Sequence, residues 1–210
     1  MIATPETRDR PRTPVPHALV VGGTGMLRGL TLSLVREGYT VSVVAHNRER
    51  LRVLAAEAAK AAKAAKAATP GSVNPLPVDY RDGDALQGAL QSAVTVHGPV
   101  ILAICWIHST APAALEAVAE IIDAGPSTCR LFHVRGSAAA NPTAKARDIP
   151  AWLCRYPRIR YRQVILGFVI EGGRSRWLTH QEISDGVLKA VHQDAAWSVV
   201  GTVEPWSMRP

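Results

Sequence analysis

Five residues with a buried character, His17-Ala18-Leu19-Val20-Val21, run without a spacer into Gly22-Gly23-Thr24-Gly25. A short apolar run of this kind reads as a strand covered on both faces, and glycines directly behind it allow a tight backbone turn. Leu27, Leu30, Leu34 and Val35 then recur at helical spacing, Gly38 offers a stop, and residues 40 to 46 (TVSVVAH) read as a second strand. Strand, helix and strand in this order form a β-α-β unit, which commits the chain to a parallel sheet.

The alternation continues. Residues 48 to 68 are rich in helix formers, but the AAKAAKAAKAA stretch carries nothing large, so burial is expected only around Leu51 and Leu54. A third strand around residues 76 to 79 is interrupted by Pro75 and Pro77 and belongs near a sheet edge, because proline cannot donate to a ladder. A helix over 83 to 96, a strand over 99 to 105, a helix over 111 to 124 and a strand over 130 to 134 follow. Residues 159 to 169 read as a strand with an extension. Thr179 and Glu182 have the spacing of a capping box ahead of a helix whose buried stripe is Ile183, Val187, Leu188 and Val191, and residues 197 to 201 close the chain as a strand. These elements predict an α/β fold: a doubly wound, seven-stranded parallel Rossmann-type sheet with helices on both faces. Residues 17 to 203 form one domain in this reading, 1 to 16 a flexible proline-containing tail, and 204 to 210 a C-terminal tail.

A glycine turn between the first strand and the first helix is where a pyrophosphate can meet backbone N–H groups and the positive end of a helix dipole. A side chain at Gly22 or Gly25 is expected to obstruct it. The second strand ends in His46-Asn47-Arg48 with Arg50 beyond, and not in the carboxylate that would accept bonds from ribose hydroxyls. Cations there suit a 2′-phosphate, so NADP(H) is favoured and NAD(H) stays possible.

The order of these features resembles the short-chain dehydrogenase/reductase superfamily, particularly its atypical small members, over residues 17 to 201. Gly22 and Gly25 match the first two glycines of its turn; Arg28 stands at the third position, with Gly29 one step later. The resemblance implies that Gly22, Gly23, Thr24, Gly25, Met26, Leu27 and Arg28 surround the cofactor phosphates, with Asn47, Arg48 and Arg50 at the adenosine. It implies that Asp79 lies beside the adenine. Leu166-Gly167-Phe168-Val169 resembles the segment whose backbone holds the nicotinamide carboxamide, with Leu166 where proline is usual, which makes Gly167 and Val169 cofactor residues. Residues after it stand where the superfamily has a substrate lid, with Gly172-Gly173 as a hinge.

Standard members pair a tyrosine with a lysine four residues on, the lysine lowering the phenol pKa for proton exchange with substrate oxygen. No such pair occurs here, and Lys145 has no tyrosine four residues before it. The remaining candidates for catalysis are His108, Ser137 and Tyr156, with Trp106 and Arg176 as substrate contacts, each expected near the carboxyl ends of strands. Two readings of function stay open: an NADPH-dependent reductase acting on a small molecule, and a non-catalytic NADP(H)-binding regulator or redox sensor.

Composition narrows the field further. The +7 charge raises a nucleic-acid partner, but the basic residues are scattered: Lys60, Lys63 and Lys66 on the Ala-rich helix, Arg8, Arg10 and Arg12 on the tail, and Arg155, Arg158, Arg160 and Arg162 late in the chain. Alternation would put the last three on one strand face, toward solvent or an anion. No nucleic acid is therefore expected as a partner. Cys105, Cys129 and Cys154 lack metal-ligand or disulfide spacing, so reduced thiols and no metal are expected. The absence of a long apolar run or a secretory leader makes a cytoplasmic protein without membrane contact the expectation, and a homo-oligomer is compatible with it.

Overall fold

The computed structural model describes residues 15–65, 69–140 and 149–210. The strands are β1 (His17–Val21), β2 (Thr40–Val44), β3 (Ser72–Leu76), β4 (Val100–Trp106), β5 (Cys129–Gly136), β6 (Ile159–Leu166), β7 (Phe168–Glu171), β8 (Arg174–Trp177) and β9 (Trp197–Val200). The helices are α1 (Arg28–Arg36), α2 (Arg48–Ala64), α3 (Gly83–His97), α4 (Ala114–Asp123) and α5 (His180–Gln193). Seven strands form one parallel sheet in the order β3-β2-β1-β4-β5-β6-β9, the doubly wound arrangement that the alternation of elements predicts. Proline-containing β3 lies at its edge.

Strand alternation divides the core. Ala18, Val20, Val41, Val43, Ile104 and Phe132 face α1, α2 and α5, whereas Leu19, Val21, Val44, Ala103 and Leu131 face α3 and α4. The stripe of α1 is buried as its spacing requires: Leu30 and Leu34 are at most 1% exposed. Each such side chain stabilises the fold by about 1.5–3 kcal/mol. In α2 the burial runs beyond Leu51 and Leu54 to Ala58 and Ala62, because small residues on the same stripe let the helix lie close to the sheet. The capping box of α5 forms as expected, Thr179 Oγ1 accepting from Glu182 N–H and the Glu182 carboxylate accepting from Thr179 N–H.

Three local expectations are revised. The extension after β6 is a β-hairpin, β7 with β8, turning on Gly172 and Gly173 at φ +57° and +75°, so these glycines serve a two-residue hairpin loop. The late arginines share a face only in part: Arg160 and Arg162 alternate along β6 as expected, but Arg158 precedes the strand and its N–H bonds the Asp123 carboxylate at 2.7 Å, while Arg162 reaches Asp194 at 3.1 Å. Residues 204 to 210 do not hang free of the domain. Thr202 exchanges backbone bonds with Phe168, Trp206–Met208 form a short 3-10 turn, and Arg209 reaches Ser137. The proline-containing tail lies outside the described residues apart from positions 15 and 16; the Pro16 carbonyl accepts from Thr40 N–H at 2.9 Å.

Candidate functional site

The strand order reverses between β1 and β4, and in open parallel sheets the crevice above that reversal receives ligands. The glycine turn sits there, and its glycines have separate duties. Gly22 adopts φ +83°, and a Cβ on it would lie 3.2 Å from the Trp106 carbonyl oxygen, so it is required where β4 passes alongside. Gly23 is a packing glycine: its Cβ would come within 2.8 Å of Val43 Cγ1 and 3.0 Å of Thr31 Oγ1. Gly25 alone of the three opens outward, and a Cβ on it would meet no atom within 4 Å. The turn is closed by bonds from Gly25 N–H to Gly22 and from Arg28 N–H to Gly25, and among the described residues no such backbone bond engages the N–H groups of Thr24, Met26 or Leu27.

The flanks of the turn are braced from two sides. Gly29 does the close packing expected of a third glycine, but against a helix: its Cβ would lie 3.0 Å from Ser184 of α5, whose hydroxyl donates to the Met26 carbonyl at 2.7 Å. Leu27 is fully buried and belongs to the core by its side chain. Arg28 pairs with Glu57 of α2. That partner, far along the chain, takes the guanidinium that the one-residue displacement of glycine introduces.

At the end of β2, Asn47 caps α2 by accepting from Arg50 N–H at 2.8 Å. His46, Arg48 and Arg50 are exposed, and the side chains of Arg48 and Arg50 have no ion-pair partner among the described residues. The neighbouring carboxylates are already engaged: Glu49 with Arg52, and Asp79 with Arg81 at 2.5 Å. The Arg81 hydrogen bonds hold the Asp79 carboxyl down at about 2. Asp79 is thus an ion-paired turn residue, and among the described residues the cations beside the end of β2 that lack an ion-pair partner are Arg48 and Arg50 of α2.

Beyond β4 opens a cleft of about 680 Å³ lined by Trp106, His108, Leu115, His133, Gly136 and Trp152, among others. It brings together the expected catalytic residue His108 and the expected substrate contact Trp106. His108 Nδ1 lies 3.2 Å from Thr110 Oγ1, and its backbone N–H donates to Tyr80. The cleft adds His133, which sequence pattern does not single out: its Nδ1 lies 2.8 Å from Tyr161 Oη. Burial, then the Arg135 charge, pushes His133 down to about 4, and burial pushes Tyr161 up to about 12, so both are neutral near pH 7. Ser137, 4% exposed, opens the 3-10 turn Ser137–Ala140 directly after β5; its neighbours Gly136 and Ala138 line the cleft, and its own Oγ accepts from Arg209 Nε at 2.8 Å.

No family model matches this chain, and no curated protein matches it in sequence. Solved structures do match in shape. A short-chain type dehydrogenase/reductase from Mycobacterium marinum superposes with a TM-score of 0.66 at 15% identity, covering 90% of this chain and 95% of its own. An alcohol dehydrogenase from Thermococcus sibiricus complexed with 5-hydroxy-NADP gives 0.62 at 14% identity over 89% and 95%. An NADH-dependent reductase complexed with NAD gives 0.64 at 15% identity over 88% and 93%. The chain has the short-chain dehydrogenase/reductase fold.

Within that fold, several assigned residues are occupied otherwise than the resemblance implies. Tyr156 is not among the residues lining the cleft; its hydroxyl sits 3.4 Å from Glu116, and burial together with that carboxylate raises its pKa, opposite to what a proton-exchanging phenolate needs. Tyr156 precedes β6, and in a parallel sheet the start of a strand is remote from the ligand-binding edge. Lys145 lies outside the described residues. Arg176 is held by Glu171 at 2.8 Å and Glu182 at 2.9 Å, which raises its pKa and removes it as a free substrate cation. Gly167 is required where the chain after β9 crosses it, since a Cβ would fall 2.0 Å from the Thr202 carbonyl. The N–H groups of Gly167 and Phe168 donate to Val200 and Thr202, and Val169 faces Arg176 in the hairpin. The hairpin was legible as two alternating runs around Gly172-Gly173; nothing local marked Arg209 as a neighbour of Ser137.

Proposed function

We propose that the chain is an NADP(H)-dependent oxidoreductase that reduces a small carbonyl substrate in the cleft beside Trp106. The observation that carries this reading is the open face of Gly25 at the strand reversal, next to the start of α2, where Arg48 and Arg50 have no ion-pair partner among the described residues while the nearby carboxylates of Glu49 and Asp79 are held by Arg52 and Arg81. These residues fit a phosphorylated dinucleotide. The turn from Gly22 to Leu27 would hold the pyrophosphate, Arg48 and Arg50 the 2′-phosphate, and the chain around Val169 the nicotinamide end. The bound cofactor supplies a hydride. The protein's own residues do the remainder: Trp106 walls the site, His108 supplies a proton, and the Ser137 hydroxyl orients the substrate oxygen. A single domain of residues 17 to 203 working in the cytoplasm, with no nucleic-acid partner, fits this chemistry.

A specific observation favours a second reading. The Tyr156 hydroxyl faces Glu116, and no tyrosine–lysine pair stands in for it; the chain would then bind NADP(H) as a regulator or redox sensor without turnover. Calorimetry with NADPH and NADH tests the cofactor, and NADPH absorbance with a panel of carbonyls, quinones and flavins separates the two readings. NADPH binding with turnover supports the enzyme; binding without turnover supports the sensor; no binding of either dinucleotide refutes both.

A further inference from the structure

His133 is a polar group on the wall of a largely apolar cleft, and the reduction proposed for that cleft does not use it. It stands on the face of β5 that looks toward α3 and α4, as Cys129 and Leu131 do. Between β5 and β6 the described residues hold the 3-10 turns Ser137–Ala140 and Ala151–Arg155 and no α-helix, so this face of β5 meets the cleft. Gln163 lies opposite His133 across β5 and β6, and it shares a face of β6 with Tyr161. These three side chains decide which ring nitrogen carries the proton. Burial raises the Tyr161 pKa, and a hydrogen bond from Gln163 works against that rise, as a donor to the phenol oxygen does. With its oxygen accepting from Gln163, Tyr161 turns its O–H to His133 Nδ1 at 2.8 Å. Nδ1 is then the acceptor of the neutral ring, and the single proton sits on Nε2. Nε2 has no partner among the described residues.

We infer that His133 Nε2–H is the inner, specificity-determining end of the substrate cleft, and that the substrate class is an elongated, uncharged, apolar ketone bearing a second acceptor oxygen remote from its carbonyl. The inference rests on the oxidoreductase reading above and names the substrate of that same cleft. His133, Val134, Arg135 and Gly136 all line it, so it runs along β5 from the strand end inward. His133 is three residues, about 10 Å, inside Gly136, too far in for one oxygen to serve both ends. A cleft of about 680 Å³ is of the size that holds drug-sized ligands, and a three-carbon carbonyl would leave most of it empty. Its walls include Leu115 and Trp152, and apolar surface of this kind penalises a charged group. A neutral ring nitrogen that can only donate asks for an acceptor oxygen. Arg135 lines the same cleft and is already engaged, which leaves a carboxylate no vacant guanidinium to meet.

The experiment titrates the full chain, nitrogen-labelled at histidine, with para-methoxyacetophenone and with para-ethylacetophenone, in which a methylene replaces the second oxygen. The His133 ring signals are assigned by their loss in His133→Phe. In the free protein they should show the Nε2–H tautomer, which Tyr161→Phe converts to a mixture. The methoxy ketone should shift the Nε2 signal and bind about five-fold more tightly than the ethyl ketone, a preference that His133→Phe abolishes. Because His133→Phe leaves the Tyr161 hydroxyl unpaired, the double variant with Tyr161→Phe, checked for folding by its melting temperature, should show the same loss. An Nδ1–H tautomer in the free protein, equal affinity for the two ketones, para-acetylbenzoate binding as tightly as the methoxy ketone, or a preference kept in either folded variant overturns the inference. NADPH oxidation gives the independent arm. Methoxy ketone binding without any turnover keeps the subsite and removes the enzyme reading, whereas turnover of both ketones with equal kcat/KM keeps the enzyme and overturns the subsite.

Discussion

Gly25→Val and Gly22→Ala should separate binding from folding at the same turn. A Cβ at Gly25 meets no atom within 4 Å, and its φ is not positive, so valine there has room and no left-handed strain. The space it fills is the one a pyrophosphate needs. Gly22→Ala acts differently: at φ +83° an L-residue costs about 1–2 kcal/mol, and the added carbon would press on the Trp106 carbonyl at 3.2 Å. For a domain of this size each kcal/mol lowers Tm by about 2–4 °C, so Gly22→Ala should melt roughly 2–8 °C early. Gly25→Val should melt with the parent, yet bind NADPH at least about a hundred-fold more weakly, a loss of about 2.7 kcal/mol. Differential scanning calorimetry and titration calorimetry read the two quantities on the same samples. Parent-like NADPH affinity in folded Gly25→Val would refute the assignment of the turn to a dinucleotide.

Arg48→Ala should weaken NADPH by roughly ten-fold and leave NADH unchanged, since a charge-assisted bond to phosphate contributes about 1.5–3 kcal/mol; equal losses for both cofactors in titration calorimetry would make the arginine structural. His133 is held down to about 4 by burial and then by Arg135, below its unfolded value near 6.5. Its proton therefore favours the unfolded chain, and the stability it protects is present above about pH 6.5 and lost as pH falls toward 4. Urea unfolding should show a loss of roughly 2 kcal/mol between about pH 7 and pH 5 that is missing in His133→Gln; parallel pH curves for the two proteins would contradict this. Thr179→Ala removes the hydroxyl that caps α5 and should lower stability by about 1 kcal/mol in the same assay, with no change meaning that the cap is redundant.

Much of this protein is written in local pattern. The run at His17, the glycine turn and the Leu27–Leu34 spacing are enough for β1, the turn and α1, because strand and helix periodicities are properties of contiguous residues. The doubly wound parallel sheet follows too, since parallel pairing with short helical crossovers admits few arrangements. Even the capping box of α5 is a four-residue rule met by Thr179 and Glu182. What pattern could not reach are the contacts between distant segments. Arg176 looks like a free loop cation until the hairpin folds Glu171 against it from one side and α5 brings Glu182 from the other. Gly167 looks like a cofactor glycine, and is required where Thr202 crosses. Arg209 reads as part of a tail, yet stands 2.8 Å from Ser137 across 72 residues of sequence. Periodicity determines which face of an element is apolar; the pairing of particular charges and hydroxyls depends on loop paths and close packing, which only the assembled tertiary structure decides.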